Sequence, residues 1–244
     1  MYKFKIFILT LPLILFSNIT SGVGLENNLV NKIYRNYGVQ VHLKYERETY
    51  FNYHERTVDR GRCEGTAPRR EIDKFLSRTL TFLKKYPKRL VRKTLKDIYF
   101  CRELSFYNNR RFAGSYGRNK IWLESGLSTY EWTLHHEYSS ILLRKYDYKF
   151  PKERWLRNNG YSYHGPDFAE LNMGPWQYTK HMRKNGFFLA YNTTNFENDF
   201  NVIVAYLMTS PRKRQKLFSA ALTYPRIYAK LKIVKSYYDW VFTR

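Results

Sequence analysis

The chain has 244 residues, of which 43% are apolar, and carries 43 Lys and Arg against 20 Asp and Glu. This apolar fraction is enough to bury a core, which excludes a wholly disordered chain. Two cysteines are too few for a disulfide-rich scaffold or a four-cysteine zinc site. The net charge of +23 favours anionic partners such as nucleic acid, lipid headgroups or an acidic cell-wall polymer.

Residues 1–24 have the layout of a secretory signal peptide. Lys3 and Lys5 precede an apolar run over residues 6–16, and a small, polar stretch follows it. We predict cleavage after Gly22 or Gly24, and the alternative is an uncleaved membrane anchor. No later segment approaches the roughly 18 apolar residues of a membrane span. We therefore expect an exported chain, in the periplasm or outside the cell, with no transmembrane span after cleavage.

Export would also allow the two cysteines, Cys63 and Cys101, to pair. Such a link would stabilise the fold by roughly 3–4 kcal/mol through the loop entropy of the unfolded chain. Two buried free thiols are the alternative, and the sequence leaves both possibilities open.

We predict one domain over residues 25–244, with a mixed α/β lobe over 25–146 and a helical lobe over 147–244. The assignment depends on the apolar spacing typical of helices and the alternation typical of strands. The predicted helices cover residues 25–35, 71–86, 90–95, 128–146, 196–209, 212–222 and 227–242, and the predicted strands cover 39–45, 97–104 and 119–124. Residues 46–68 and 105–118 are predicted to be irregular, and 147–185 to be a long aromatic loop that could line a site.

The helix predicted from Ser128 carries the most informative motif. Its start, Ser128-Thr-Tyr-Glu131, is typical of a capping box, and His136-Glu137 follows. In HExxH metallopeptidases two histidines four residues apart bind zinc, and the intervening Glu activates water. Here the second position is Ser140, and a hydroxyl is a poor zinc ligand. His-Glu alone also fits ordinary helix residues, but an extended segment, a turn and a capped helix together are the zincin arrangement, in which a strand edge holds the substrate.

A second signal is the acidic pair Glu197 and Asp199, at the start of the helix predicted over 196–209. In the gluzincin subgroup of zincins, a carboxylate from a second helix is the third zinc ligand. Acids at a helix start also stabilise the helix through its dipole and need have no other role. Both interpretations stay open from the residues alone.

Taken in order, several segments resemble the family of gluzincin-like zinc-binding metallopeptidases that bacteria export. The resemblance spans roughly residues 28–240 and depends on DIYFCREL (97–104), NKIWLES (119–125), TLHHEYSSIL (133–142), Trp155 with NGYSY (159–163), Gly186-Phe187 with Tyr191 and ENDF (197–200), and KLKIVKSYY (230–238). It implies an α+β, zincin-like fold: a small mixed sheet with an active-site helix, followed by an all-helical C-terminal lobe.

The resemblance also implies roles for individual residues. His136 would be the first zinc ligand, Glu137 the general base and Glu197 the third ligand, with Asp199 as a supporting acid or an alternative ligand. Tyr191 lies where a phenol could stabilise an oxyanion, although a buried core tyrosine is the alternative. The implied function is metal-assisted hydrolysis of a peptide or protein substrate, with zinc as the cofactor.

Ser140 departs from the family pattern, and three outcomes follow from it. Another group, such as His164 or His181 in the aromatic loop, could complete the metal shell. Alternatively, His136, an acid and water could hold a more weakly bound metal. In the third outcome the chain is a catalytically inactive zincin-fold protein that binds an anionic envelope component.

Three basic runs could contact anions: residues 84–89, 110–111 and 212–216. Aromatic residues interleave with basic ones, as in proteins that bind single-stranded nucleic acid. No nucleic-acid-binding module signature is present, and export argues against a genomic role. We therefore expect an anionic envelope polymer or lipid headgroups as partners, rather than nucleic acid.

Overall fold

The computed structural model describes residues 28–43, 49–52, 60–106, 110–165 and 174–244. The predicted signal peptide at 1–24 lies outside these ranges. The α-helices of the described residues are α1 (28–37), α2 (Arg69–Leu83), α3 (Lys88–Thr94), α4 (Tyr130–Lys145), α5 (Lys152–Leu156), α6 (Lys180–Lys184), α7 (Phe196–Met208), α8 (Pro211–Thr223) and α9 (Pro225–Val241). Short 3-10 turns cover Asp147–Lys149 and Ala190–Thr193.

The strands form two small sheets. They are β1 (Gln40–His42), β2 (Thr49–Asn52), β3 (Arg60–Glu64), β4 (Asp97–Cys101), β5 (Glu103–Phe106), β6 (Arg110–Arg111), β7 (Gly114–Tyr116) and β8 (Lys120–Glu124). The first sheet has the order β1-β4-β8-β7, in which β1, β4 and β8 are parallel and β7 runs antiparallel to β8. The second sheet, β2-β3-β5-β6, is antiparallel throughout.

Two of the segments predicted to be irregular contain strands, so that part of the prediction is wrong. Residues 46–68 include β2 and β3, and 105–118 include β6, β7 and the end of β5. Sequences such as RGRCE and GSY offer few apolar residues, so the alternation that marks a half-buried strand is missing. In the first sheet β8 is therefore an inner strand, and the unpredicted strand β7 forms the edge beside it.

Helix α4 forms the centre of the fold. Its residues 132–143 are all buried, between the first sheet and the helices that follow. The helix begins at Tyr130 rather than Ser128, and Thr129 makes no capping hydrogen bond, so the predicted capping box is absent. Glu131 instead accepts a hydrogen bond of 2.6 Å from Lys85 Nζ. This ion pair joins the start of α4 to the residues that follow α2.

Two more predictions differ from the structure. The predicted loop over 147–185 contains the short helices α5 and α6, and the strand predicted over 97–104 is divided between β4 and β5, which belong to different sheets.

Several other features have the expected form. Helix α1 ends at Gly38, whose positive φ of 67° is the left-handed conformation that glycine favours at a helix end. Cys63 and Cys101, whose pairing the sequence left open, form a disulfide that joins β3 of one sheet to β4 of the other. Helices α7, α8 and α9 follow one another at the C-terminus, as the apolar spacing predicts. None of the helices in the described ranges has the length and apolarity needed to cross a membrane.

Candidate active site

The backbone of the edge strand β7 lies directly against the predicted general base. Glu137 lies in the middle of α4 and is only 8% exposed. A Cβ atom added at Gly114 in β7 would lie 2.7 Å from Thr133 Cγ2 and 3.0 Å from Glu137 Oε1. Only glycine lets the strand and helix approach so closely, so Gly114 sets the distance between the sheet edge and the carboxylate.

The second helix brings Glu197 to the same place. The Tyr116 hydroxyl, on β7, donates a hydrogen bond to Glu197 Oε1. Arg144 Nη2, near the end of α4, donates to Glu197 Oε2 over 3.4 Å, and its guanidinium lies 4.6 Å from the centre of the Tyr116 ring. Glu197 at the start of α7 is therefore held by both the edge strand and α4.

Burial and the neighbouring Glu197 both act on the Glu137 carboxyl. Burial raises the pKa of Glu137 to about 8, and the negative charge of Glu197 contributes to the same shift. At neutral pH most Glu137 carboxyls are then protonated. A positive charge brought between the two side chains would favour the ionised form of Glu137.

His136 packs against an aromatic wall beside Glu137. Its ring stacks on Trp132, with 5.1 Å between ring centres, and lies 5.8 Å from the Tyr191 ring. Burial lowers the pKa of His136 to about 4, although an interaction with the Asn198 side chain partly opposes the shift. The imidazole is thus neutral at physiological pH, and its buried Nδ1 has no hydrogen-bond partner within the described part of the chain. A neutral imidazole is the form that binds metals.

The position of the missing histidine is taken by a buried polar contact between α4 and α7. Ser140 Oγ accepts a hydrogen bond of 2.6 Å from Asn201 Nδ2, and Ser139 Oγ donates one of 2.6 Å to Asn201 Oδ1. All three side chains are buried. Both functional groups of the Asn201 amide are therefore engaged where a second imidazole would otherwise lie.

These residues do not complete a zinc site. A catalytic zinc ion usually has three protein ligands and one open position. His136 and Glu197 are two of the predicted ligands, and Ser140 supplies no strong third one. Among the residues that the structure describes, no group of three or more His, Cys, Asp or Glu side chains could hold a metal ion.

Asp199 is engaged in a buried ion pair with Lys230 of α9. Its Oδ2 accepts hydrogen bonds from Lys230 Nζ at 2.6 Å and from Trp155 Nε1 and the Tyr163 hydroxyl at 3.0 Å each. Asn192 Nδ2 donates to Oδ1 at 2.9 Å. Asp199 and Lys230 are both fully buried. Metal binding by Asp199 would require this pair to break, so the contacts favour a structural role.

The two histidines suggested as substitutes, His164 and His181, are exposed and contact a different aromatic cluster. Their rings lie 4.9 Å and 6.1 Å from the ring of Tyr161. His181 Nε2 also lies 3.2 Å from Asn185 Nδ2. Among the contacts of the described residues, none joins His164 or His181 to His136.

Several residues of the site were not predicted from the sequence. Gly114 and Tyr116 lie on a strand that was predicted to be irregular. Two other residues could have been found from helical spacing. Arg144 follows Glu137 by seven residues and Trp132 precedes His136 by four, so each lies on the same helix face as its partner. Trp176, whose ring lies 4.9 Å from that of Trp132, gave no signal.

Comparison with known proteins identifies the family of this chain. The model of a family described as "putative zinc-binding metallo-peptidase" matches residues 83–243. The chain belongs to this family. The matched range contains α4 and α7 and therefore the whole His136, Glu137 and Glu197 set. No curated protein matches the chain.

A solved structure resembles this chain over most of the fold. It is the crystal structure of a protein named as a putative zinc-binding metallo-peptidase from Bacteroides caccae. The TM-score is 0.57 with 14% sequence identity, and the match covers 91% of this chain and 87% of that chain. At this identity the likeness concerns the fold alone. The predicted α+β fold, with a small mixed sheet and a helical C-terminal part, is confirmed.

Proposed function

We propose that this protein binds a peptide along the β7 edge and hydrolyses it, with Glu137 as the proton acceptor. The observation that carries the proposal is the meeting of three elements: Gly114 of β7 lies against Glu137 of α4, and Tyr116 of β7 binds Glu197 of α7. An edge strand presents backbone groups that an extended peptide can pair with. A scissile carbonyl aligned with β7 would then lie beside a buried carboxylate. The family description supports a peptide substrate.

The proposed chemistry is assigned to residues of this chain. The ionised Glu137 carboxylate takes a proton from water. Because burial raises the pKa of Glu137 to about 8, the ionised form prevails only at alkaline pH unless a cation lies nearby. Tyr191, next to the His136 ring, is the proposed donor to the oxyanion. Zinc, which the family description names, would polarise the carbonyl when bound. Because the described ligands do not complete its site, we assign no step to it.

Export is part of the proposal. The signal-peptide pattern over residues 1–24 supports it, and so does the disulfide, because disulfides persist in oxidising compartments. We therefore propose the periplasm or the cell exterior as the place where the peptide substrate is met.

The first test compares hydrolysis by three proteins that start at residue 25. Quenched fluorescent peptides of mixed sequence are incubated with wild type, Glu137→Gln and Glu153→Gln. Loss of a general base costs about 10²–10⁴ in rate, so Glu137→Gln should be inactive by comparison with wild type. Glu153 is exposed on α5, and its variant should match wild type. Equal hydrolysis by the Glu137→Gln protein would remove Glu137 from the mechanism.

The second test concerns the degenerate metal site. Zinc content and affinity are measured for wild type, Ser140→His, and Ser140→His with Asn201→Ala, which makes room for the imidazole. If only the variants with Ser140→His bind zinc tightly, the result supports the interpretation that the site has lost one ligand. Equally tight binding by wild type would show that the site is complete and contradict this part of the proposal. If no wild-type hydrolysis is detected at any pH, the alternative of an inactive zincin-fold protein that binds an anionic envelope component takes its place.

A further inference from the structure

We propose that a basic groove between α6 and α8 binds the phosphate group of a small phosphate ester. The groove has a volume of about 510 Å³. Three cationic side chains line it, from Arg183 on α6 and from Arg212 and Lys216 on α8. No acidic residue lines it in the described ranges. Nothing in the proposed peptide hydrolysis uses this groove.

Arg183 is the fixed part of the groove. It is only 8% exposed, and its guanidinium carbon lies 3.2 Å from the centre of the Tyr178 ring. Its Nε donates to the Phe188 carbonyl oxygen at 3.3 Å, while its Nη2 has no hydrogen-bond partner among the described residues. A stacked guanidinium of this kind is held in place before any ligand arrives. Such a planar, oriented group is well suited to binding phosphate oxygens.

Helix α8 supplies the other two cations and several neutral donors. Arg212 and Lys216 are four residues apart and so lie on the same face of the helix. Neither forms an ion pair with a described carboxylate in the structure. Ser219 and Thr223 continue the same face and also line the groove. The Thr223 hydroxyl already donates to the Ser219 carbonyl oxygen at 3.1 Å, so the neutral donors are the Ser219 hydroxyl and the Gln215 amide. Three cations without a lining acid favour a dianion over a single carboxylate, and a phosphate ester carries about −1.5 to −2 at neutral pH.

The size of the groove and its aromatic residues indicate that the ligand is larger than inorganic phosphate. Tyr178 and Tyr224 line it, and Tyr178 is 44% exposed. A volume of about 510 Å³ falls within the roughly 300–1,000 Å³ of small-molecule sites. The groove therefore has room for the organic group that carries the phosphate, which could pack against these rings.

The test measures binding at constant ionic strength by calorimetry. The probes are glycerol 3-phosphate, inorganic phosphate and acetate. The groove variant, Arg212→Gln with Lys216→Gln, is compared with a control, Arg154→Gln with Lys235→Gln, which removes the same charge from exposed positions outside the groove. We expect saturable binding of the phosphate ester by wild type and the control. Affinity should be at least about tenfold weaker in the groove variant, because two charge-assisted hydrogen bonds are lost.

Vesicles distinguish the two sources of such a phosphate. Binding to vesicles with phosphatidic acid in phosphatidylcholine, lost in the groove variant but not in the control, would identify a lipid headgroup. Binding of the soluble ester without vesicle binding would identify a free metabolite. The proposal is overturned if neither glycerol 3-phosphate nor the phosphatidic acid vesicles bind. It is also overturned if both double variants lose affinity equally, or if acetate binds as tightly as glycerol 3-phosphate. Since no peptide is used, these results are independent of the proposed hydrolysis.

Discussion

The surroundings of two glutamates on helix α4 shift their pKa values in opposite directions. Burial raises the pKa of Glu137 to about 8, with a further contribution from Glu197. The neighbouring His135 ring, 3.7 Å away, and the Lys85 ammonium lower the pKa of Glu131 to about 2, although burial opposes that shift. An acid buried without a cationic partner destabilises a fold, and such groups occur where activity requires them. In the proposed mechanism, Glu137 is therefore the residue for which stability and function conflict.

This conflict predicts the effect of Glu137→Gln on stability. An unfolded glutamate titrates at about pH 4.3. Between that pH and about 8 the folded chain keeps a proton that the unfolded chain has lost, so wild-type stability falls as pH rises. Glutamine does not titrate, so the Glu137→Gln variant does not lose stability in this way as pH rises. Urea unfolding in chelator should give similar stability for both proteins near pH 4 and a more stable variant at pH 8, by a few kcal/mol at most.

The same substitution at Glu131 is the matched control, with the opposite sign. Its lowered pKa gives a stabilisation that is present above the unfolded value and is lost as pH falls toward about 2. Glu131→Gln should therefore be less stable than wild type between pH 5 and pH 8. A Glu137→Gln protein whose stability follows the wild-type pH profile would show that Glu137 is not the buried acid described above.

The site residues that the sequence could identify are those whose role depends on local spacing. His136 and Glu137 form part of a known helical motif, and Glu197 begins a helix with strong apolar spacing. Tyr116 and Asn201 could not be identified, because their partners lie 81 and 61 residues away in the chain. The pairing of Asp199 with Lys230, 31 residues later, was invisible for the same reason.

At the level of elements, prediction succeeded where apolar residues follow a clear period. Helices α2, α4, α7, α8 and α9 and strands β4 and β8 all carry such patterns. Strands β3, β6 and β7 do not, because their sequences are mostly polar and β3 and β7 contain glycine. The edge strand that borders the site therefore became visible only in the structure. Its position depends on pairing with β8 and on contact with α4.

The contact between β7 and α4 predicts the effect of Gly114→Ala. The new methyl group would lie 2.7 Å from Thr133 Cγ2, closer than side chains pack, so the strand must move away from Glu137. Overpacking of this kind costs about 1–3 kcal/mol. We expect lower urea stability and slower peptide hydrolysis. Gly174→Ala is the control, because its added Cβ comes no nearer than 4.0 Å to another atom; equal losses in both variants would contradict a special role for Gly114.

At the level of the whole molecule, the two sheets are joined by one covalent link. The disulfide connects Cys63 on β3 to Cys101 on β4, and both residues are fully buried beside Leu104 and Trp122. The sequence left open whether the cysteines pair, because pairing depends on how the two sheets meet. The strand β3 was not predicted at all. The whole-chain resemblance still identified the fold class, since it depends on the order of many short segments.

This link predicts how the protein responds to reduction. Closing a loop of 38 residues lowers the entropy of the unfolded chain and stabilises the fold by roughly 3–4 kcal/mol. Reduction should therefore shift urea unfolding of wild type to lower concentration by that amount of free energy. A variant with Cys63→Ala and Cys101→Ala should unfold early with or without reductant, which separates the bond from other effects of the reagent. If reduced and oxidised wild type unfold at the same urea concentration, the disulfide does not hold the sheets together, and one support for an exported protein is lost.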